Sequence, residues 1–148
     1  MCISKIRRRK NSLRLKDFDY TKEGYYFVTI NCKRKSKYFE TEKAKKIITR
    51  QIVDLENRYK FLVDCFAIIP DHIHLIIILN RTKRISLSAI IQYFKSLITK
   101  DFRNKLNAPE KFWQRSFYDH VIRNEKDYLE KKRYILNNPF KRELLGRS

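Results

Sequence analysis

Two of the three histidines in this chain, His72 and His74, are two residues apart at the start of an apolar run. Residues i and i+2 of a β-strand point to the same face, so both imidazoles can converge on one ion. The spacing therefore indicates a metal site at the beginning of a strand. The alternative is a pair of partly buried histidines whose nitrogens are satisfied by hydrogen bonds within the protein.

A tyrosine and an asparagine further along the chain could complete such a site. Tyr134 and Asn138 are four residues apart in a predicted helix, so they share one face. The apolar residues of that helix are predicted to cluster on another side: Tyr128, Leu129, Ile135 and Leu136. Because a core tyrosine would lie within the apolar cluster, Tyr134 is a candidate nucleophile and Asn138 a candidate oxygen ligand. An ordinary surface tyrosine is the alternative.

The charge of the chain indicates what such a site would act on. The formal net charge is +19 over 148 residues, while 43% of the residues are hydrophobic and 14% aromatic, which favours a folded domain. A compact domain this positive repels itself, and a polyanionic partner is the usual reason for such a charge. Nucleic acid is the expected partner, and a surface kept soluble by lysine is the alternative.

The three cysteines have no paired spacing, so neither a disulfide framework nor a Cys-x-x-Cys zinc site is predicted. Reduced thiols fit a cytoplasmic protein best. The basic N-terminus lacks the apolar core of a secretory signal, and no segment is apolar for long enough to span a membrane.

The elements that would position these residues follow from patterning and from turn residues. Strands are predicted over residues 25–32, 61–69, 72–79 and 112–122. Helices are predicted over 41–59, over 87–106 after the N-cap Ser86, and from the cap Asn124 to about Asn137, before Pro139. The order β-α-β-β-α-β, with a helix added at the C-terminus, is the ferredoxin-like split βαβ pattern of the α+β class. It predicts an antiparallel sheet with two helices on one face.

The domain organisation predicted is a basic arm over residues 1–20 and a single catalytic domain over residues 21–148. A loop of basic character is expected over residues 80–84, and there are no internal repeats.

Several segments together resemble the single-tyrosine HUH (His-hydrophobic-His) transposases, and more closely their REP-associated tyrosine transposase branch. The matching segments occur in the same order along nearly the whole chain: 26–31 (YFVTIN), 70–74 (PDHIH), 94–96 (FKS), 112–123 (FWQRSFYDHVIR) and 134–139 (YILNNP). A lone His-x-His would be weak evidence, whereas this set is specific.

The resemblance implies a fold, a reaction and a ligand set. His72 and His74 would hold Mg²⁺ or Mn²⁺, with Asn138 where relatives have a Gln or Asn as third ligand. Tyr134 would attack a phosphodiester of single-stranded DNA, with a hairpin nearby, to form a 5′-phosphotyrosine link and a free 3′-OH. It leaves open whether Tyr134 acts with the histidines of its own subunit or with those of a second copy in a homodimer.

Other residues are predicted to serve this site less directly. His120 could support the metal ligands from behind, although a structural histidine is the favoured interpretation. The cations predicted to contact DNA phosphates are Arg7, Arg8, Arg9, Lys95, Lys100, Arg103 and Arg115. A solvated charged face is the alternative for these residues.

Two other functions compete with a transposase. The same element order describes an RNA-recognition module, but that module needs Gly and spaced aromatics on its third strand, where this chain has His-Ile-His and aliphatic residues. A DNA-binding regulator that has kept the fold and lost the chemistry is the other alternative.

Overall fold

A computed structural model of the protein describes residues 24–79 and 85–138. Within these ranges the elements follow the predicted order. They are β1 (Gly24–Asn31), α1 (Glu42–Tyr59), β2 (Leu62–Ile69), β3 (His72–Leu79), α2 (Leu87–Leu106), β4 (Tyr118–Ile122) and α3 (Glu125–Leu136). The predicted basic arm and the predicted loop 80–84 lie outside the described residues.

The strands form one antiparallel sheet in the order β2-β3-β1-β4. β1 and β3 lie at its centre because both are apolar along almost their whole length and can be buried on both faces. This confirms the ferredoxin-like fold with a helix added after the last strand.

Side chains of β3 point alternately into two separate cores, as its sequence predicts. Ile73, Leu75 and Ile77 pack with the apolar faces of α1 and α2. Ile76 and Ile78 pack on the opposite face, with Tyr128 and Ile135 of α3. Alternation therefore places His72 and His74 on the face that α3 covers.

Each helix begins at its predicted start or within one residue of it. The side chains of Thr41, Ser86 and Asn124 accept hydrogen bonds from the backbone N–H groups of Ala44, Ala89 and Asp127. The cap at Asn124 follows β4 almost directly, so it fixes the helical phase in which the side chains of α3 meet the sheet.

The fourth strand is shorter than predicted, because residues 112–117 pack without joining the ladder. Phe112 and Trp113 are buried, and Trp113 makes only an isolated bridge to Cys32. The indole N–H donates to the Lys95 carbonyl and to the Thr99 hydroxyl instead, at 3.1 and 3.0 Å. The two aromatic residues are typical of a strand, but here their backbone forms a loop and their rings pack in the hydrophobic core.

The predicted apolar cluster on α3 is wrong for Leu129, whose side chain is 43% exposed. Tyr128 and Ile135 are seven residues apart, two turns of helix, and together they form the line that is buried against the sheet. Leu129 lies about 100° around the helix from Tyr128, which turns it towards solvent.

Burial makes Cys32 an unreactive thiol, as its place in an apolar run suggests. Cys32 and Cys65 are both free and buried, and desolvation raises the pKa of the Cys32 thiol to about 12. Within the described ranges, no helix is both long and apolar enough to cross a membrane.

Candidate active site

The imidazoles of His72 and His74 converge at the start of β3, as their spacing predicts. Their Nε2 atoms are 3.1 Å apart, and the two ring planes meet at 76°. Two nitrogens bound at about 2.1 Å and at right angles to one octahedral ion would lie about 3 Å apart. The pair therefore fits two neighbouring ligands of a single divalent cation.

Two residues that sequence analysis did not identify orient these rings from behind. Asp71 lies in the two-residue turn before β3, and its Oδ1 is 2.6 Å from Nδ1 of His72. Thr29 pairs with His74 across β1 and β3, and its Oγ1 is 2.9 Å from Nδ1 of His74. Partners of this kind commonly hold the ring of a metal-binding histidine in a fixed orientation. Asp71 could have been found from its place beside His72, whereas Thr29 is revealed only by strand register.

The surroundings of His74 keep its ring neutral, which is the form that binds a metal. Its side chain is only 6% exposed, and burial together with the nearby His72 lowers the pKa of His74 to about 4. A threonine hydroxyl can either donate or accept a hydrogen bond, so Thr29 can satisfy both neutral tautomers of His74. One tautomer donates from Nε2 to His72, and the other, which is protonated at Nδ1, leaves the single lone pair of Nε2 free to bind an ion.

Tyr134 lies directly beside this pair. Its ring centre is 5.2 Å from that of His74 and 6.2 Å from that of Phe27, which is itself stacked on His74. The side chain is nevertheless 58% exposed. The phenol thus rests against the histidine cluster while it remains open to a large substrate.

The histidine pair needs further ligands of another type. Within residues 24–79 and 85–138, no group of three or more His, Cys, Asp or Glu side chains could hold a metal. Asn138, the predicted third ligand, lies one turn beyond Tyr134 and just past the end of α3, where its backbone N–H donates to the Ile135 carbonyl. An amide oxygen is an acceptable ligand for Mg²⁺ or Mn²⁺. Its role as a ligand stays a prediction.

His120 belongs to a polar network that joins β4 to α3. Its Nε2 is 2.7 Å from Oδ2 of Asp127, and Lys131 donates to the other oxygen of that carboxylate at 3.0 Å. His120 is paired with Phe27 across the sheet, so the network lies beside the aromatic cluster that holds Tyr134. Burial alone would raise the pKa of Asp127, but the hydrogen bonds from His120 and Lys131 outweigh it and lower that pKa.

We expect Asp127→Asn to lower the free energy of unfolding at neutral pH by about 1–2 kcal/mol, because it removes charge-assisted hydrogen bonds that tie α3 to β4. A lowered carboxyl pKa stabilises the fold fully above the ordinary value of 3.8, and this stabilisation is lost as the pH falls through the lowered value. The difference between variant and wild type should therefore shrink below about pH 4 in urea unfolding. Glu130→Gln, an exposed change on the same helix, is the control, and a difference that stays constant down to about pH 2 would contradict the assignment.

The structure separates the cations predicted to contact DNA into different places. Lys100 and Arg103 are exposed on α2, which lies on the face opposite to the histidines, and Arg103 is 3.6 Å from Glu110. Lys95 donates to backbone carbonyls of the loop before β4. Arg115 is exposed in that loop. The remaining predicted cations lie outside the described residues: Arg7, Arg8 and Arg9.

Comparisons with known proteins agree with this fold. Residues 20–138 match the family model described as "Transposase IS200 like". An uncharacterized protein of Haemophilus influenzae is 32% identical, with 88% of each chain covered. The REP-associated tyrosine transposase of Escherichia coli K12 is 28% identical over 82% of this chain and 70% of that protein. A solved structure of a REP-associated tyrosine transposase bound to a REP hairpin superposes with a TM-score of 0.70, at 25% identity, over 88% of this chain and 74% of that one.

The chain belongs to the IS200-like transposase family. The "Putative REP-associated tyrosine transposase" of Haemophilus influenzae is 30% identical over 83% of this chain and 74% of that protein. The chain therefore belongs to the branch of REP-associated tyrosine transposases, as its sequence resemblance predicted, and it is an enzyme of the tyrosine transposase class.

Proposed function

We propose that this transposase is a divalent-cation-dependent endonuclease and strand transferase of single-stranded DNA, with Tyr134 as its nucleophile. The observation that carries the proposal is the exposed phenol of Tyr134 packed 5.2 Å, ring centre to ring centre, from a histidine whose Nε2 converges with that of His72. A candidate nucleophile and a candidate pair of metal ligands therefore meet on the face of the sheet that α3 covers, at a place where the phenol remains exposed.

The proposed reaction exchanges one phosphodiester for another. The phenol oxygen of Tyr134 attacks the phosphorus, the bond from phosphorus to the 3′-oxygen breaks, and that oxygen takes up a proton as the phenol loses its own. The products are a 5′-phosphotyrosine and a free 3′-OH. Rejoining is the reverse reaction, in which a 3′-OH attacks the phosphotyrosine. Little bond energy is lost in either direction, so one site can serve both steps.

His72, His74 and Asn138 would hold Mg²⁺ or Mn²⁺. The bound cation would polarise the phosphate oxygens and stabilise the charge that develops on them. Imidazole ligands favour Mn²⁺ in affinity, while Mg²⁺ serves by abundance. Phe27 keeps the ring of Tyr134 beside this cluster, and Asp71 and Thr29 hold the imidazoles in place.

The proposed substrate is single-stranded DNA that carries a hairpin. The similar transposase of known structure is bound to a REP hairpin, and the net charge of +19 suits a long polyanion. A non-catalytic RNA-recognition module is disfavoured, because such a module needs an open sheet face on which bases can stack. Here α3 packs on that face through Tyr128 and Ile135.

The proposal is tested by incubating the protein with a single-stranded hairpin oligonucleotide and Mn²⁺, then resolving the products on a denaturing gel. We expect a protein–DNA adduct that survives denaturation, together with a released fragment that a polymerase can extend from its 3′-OH. If both DNA fragments are released free of protein at every time point and with every cation tested, the covalent mechanism is contradicted.

The basic N-terminal segment is proposed to add sequence-independent affinity. It carries Lys5, Arg7, Arg8, Arg9, Lys10, Arg14 and Lys16. Each phosphate contact with a single strand contributes about −0.7 to the slope of log K against log salt concentration. Deleting the residues before Phe18 should therefore flatten that slope by several units, measured by fluorescence anisotropy, without moving the cleavage position. An unchanged slope would show that the segment is merely solvated.

A further inference from the structure

An open cleft of about 640 Å³ lies beside the histidine pair, at the end of β1. The residues that line it include four cations and no carboxylate. They are Asn31, Cys32, Lys33, Arg34, Lys35, Gln114, Arg115 and Tyr118. Its volume is within the range of sites that bind small organic ligands, and its charge favours an anionic one.

The register of the sheet places this cleft next to the candidate active site. Asn31 pairs with His72, and Thr29 pairs with His74 on one side and with Tyr118 on the other. Tyr118 and His74 are thus two strand spacings apart, about 10 Å between backbones. Tyr118 alternates with Ile122, which is buried under α3, so its ring lies on the same face of the sheet as the histidines.

The cationic wall of the cleft is a turn with an unusual backbone. Arg34 and Lys35 both adopt left-handed conformations, with φ of 53° and 54°, although neither is glycine. The N–H of Lys33 donates to the Phe112 carbonyl, and the N–H of Gln114 donates to the Asn31 carbonyl, both at 2.8 Å. Residues held in such sparsely populated conformations concentrate at functional sites. The turn is tied to the opposite wall of the cleft by these two bonds.

The opposite wall, which carries Arg115, is held in place by a side chain of α2. The amine of Lys95 donates to the carbonyls of Gln114 and Ser116, at 2.9 and 3.2 Å, on either side of Arg115. The two hydrogen bonds from the Lys95 ammonium group therefore stabilise the conformation of this loop. Tyr118 completes the cleft with a ring that is 66% exposed, although it begins a strand whose end is buried.

We propose that this cleft binds one nucleotide of single-stranded DNA next to the scissile phosphate, with its base stacked on Tyr118 and its phosphates bound by Arg115 and Arg34. The inference rests on the proposed function for its position relative to the cleaved bond. Stacking on an exposed aromatic ring accepts any base, and arginine adds phosphate contacts, so this site supplies affinity and register more than sequence choice.

DNA binding is tested in the Tyr134→Phe protein, because this variant is expected to bind DNA without cleaving it. The probe is a single-stranded hairpin oligonucleotide in which 2-aminopurine replaces one base at a time. We expect quenching at the nucleotide next to the cleavage position, loss of that quenching in Tyr118→Ala with about tenfold weaker binding, and retention of both in Tyr118→Phe. Arg115→Gln should reduce the salt slope by about 0.7.

Tyr93→Ala and Arg58→Ala are the matched controls, since both residues are exposed on helices that cover the other face of the sheet. They should leave quenching and affinity unchanged. Normal quenching and affinity in both Tyr118→Ala and Arg115→Gln would overturn the cleft assignment, even where wild-type protein forms the Tyr134 adduct. Conversely, the quenching could be lost in Tyr118→Ala while the wild-type protein forms no adduct with DNA. That result would retain the cleft as a nucleotide site and reject the proposed function.

Discussion

Tyr134→Phe is expected to lower covalent adduct formation with single-stranded DNA by at least about a thousandfold, because loss of the nucleophile removes the whole covalent route. The ring remains in this variant, so its packing against His74 and Phe27 is kept. Thermal stability and DNA affinity should therefore stay close to those of wild type. Adduct formation is measured by denaturing electrophoresis with a labelled hairpin oligonucleotide.

Tyr118→Phe is the matched control, because Tyr118 is also exposed on the same face of the sheet, while its backbone is two strand spacings, about 10 Å, from that of His74. It should form the adduct at close to the wild-type rate. A Tyr134→Phe protein that still forms the adduct, or a Tyr118→Phe protein that cannot, would show that the nucleophile has been assigned to the wrong tyrosine.

His72→Ala and His74→Ala are each expected to lower divalent-cation affinity and strand cleavage by more than about a hundredfold. The two Nε2 atoms, 3.1 Å apart, would supply most of the affinity of the proposed site, since a single imidazole holds a divalent cation poorly. Asn138→Ala should cost less, about tenfold, because a neutral amide oxygen is a weaker donor. Cation affinity is measured by calorimetry with Mn²⁺, and cleavage by single-turnover kinetics.

Thr29→Val provides a control of matched size within the same cluster. It removes the hydrogen bond at Nδ1 of His74 and keeps both imidazoles, so a smaller loss, about tenfold, is expected. Full cleavage in excess chelator, or equal Mn²⁺ affinity in wild type and in the double histidine variant, would exclude the metal site.

The parts of the fold that sequence analysis predicted best are those with strong local signals. β3 begins at His72, as predicted, because Pro70 and Asp71 form a turn and an unbroken apolar run follows. The helix after Ser86 also matches its predicted bounds, since a good cap precedes a regular apolar stripe.

The errors arose where tertiary packing overrides local preference. Phe112 and Trp113 have the composition of a strand, yet their rings fill the core between loop and helix. Leu129 was assigned to the apolar side of α3 from composition, whereas Tyr128, Ile135 and Leu136 pack on the core beneath the helix and Leu129 is exposed. Arg34 adopts a left-handed conformation that nothing in its residue type signals.

The sequence predicted which side chains form the candidate site, but not the contacts that hold them in position. Spacing alone placed the two histidines on one face, and helical periodicity placed Tyr134 off the apolar stripe. The contribution of Thr29 depends on the pairing of β1 with β3, and the link from His120 to Asp127 depends on how α3 packs. The first pair is 45 residues apart in the sequence, and the second, seven residues apart, depends on how α3 packs back on β4, so neither has a direct signal in a single sequence.

Mapping the covalent adduct identifies the residue that attacks the phosphate. The protein is incubated with a single-stranded hairpin oligonucleotide and Mn²⁺, the adduct is digested with protease and nuclease, and the modified peptide is sequenced by mass spectrometry. We expect a nucleotide joined through its 5′-phosphate to Tyr134. A modification on Tyr118 or Tyr128, or a link through a 3′-phosphate, would contradict it.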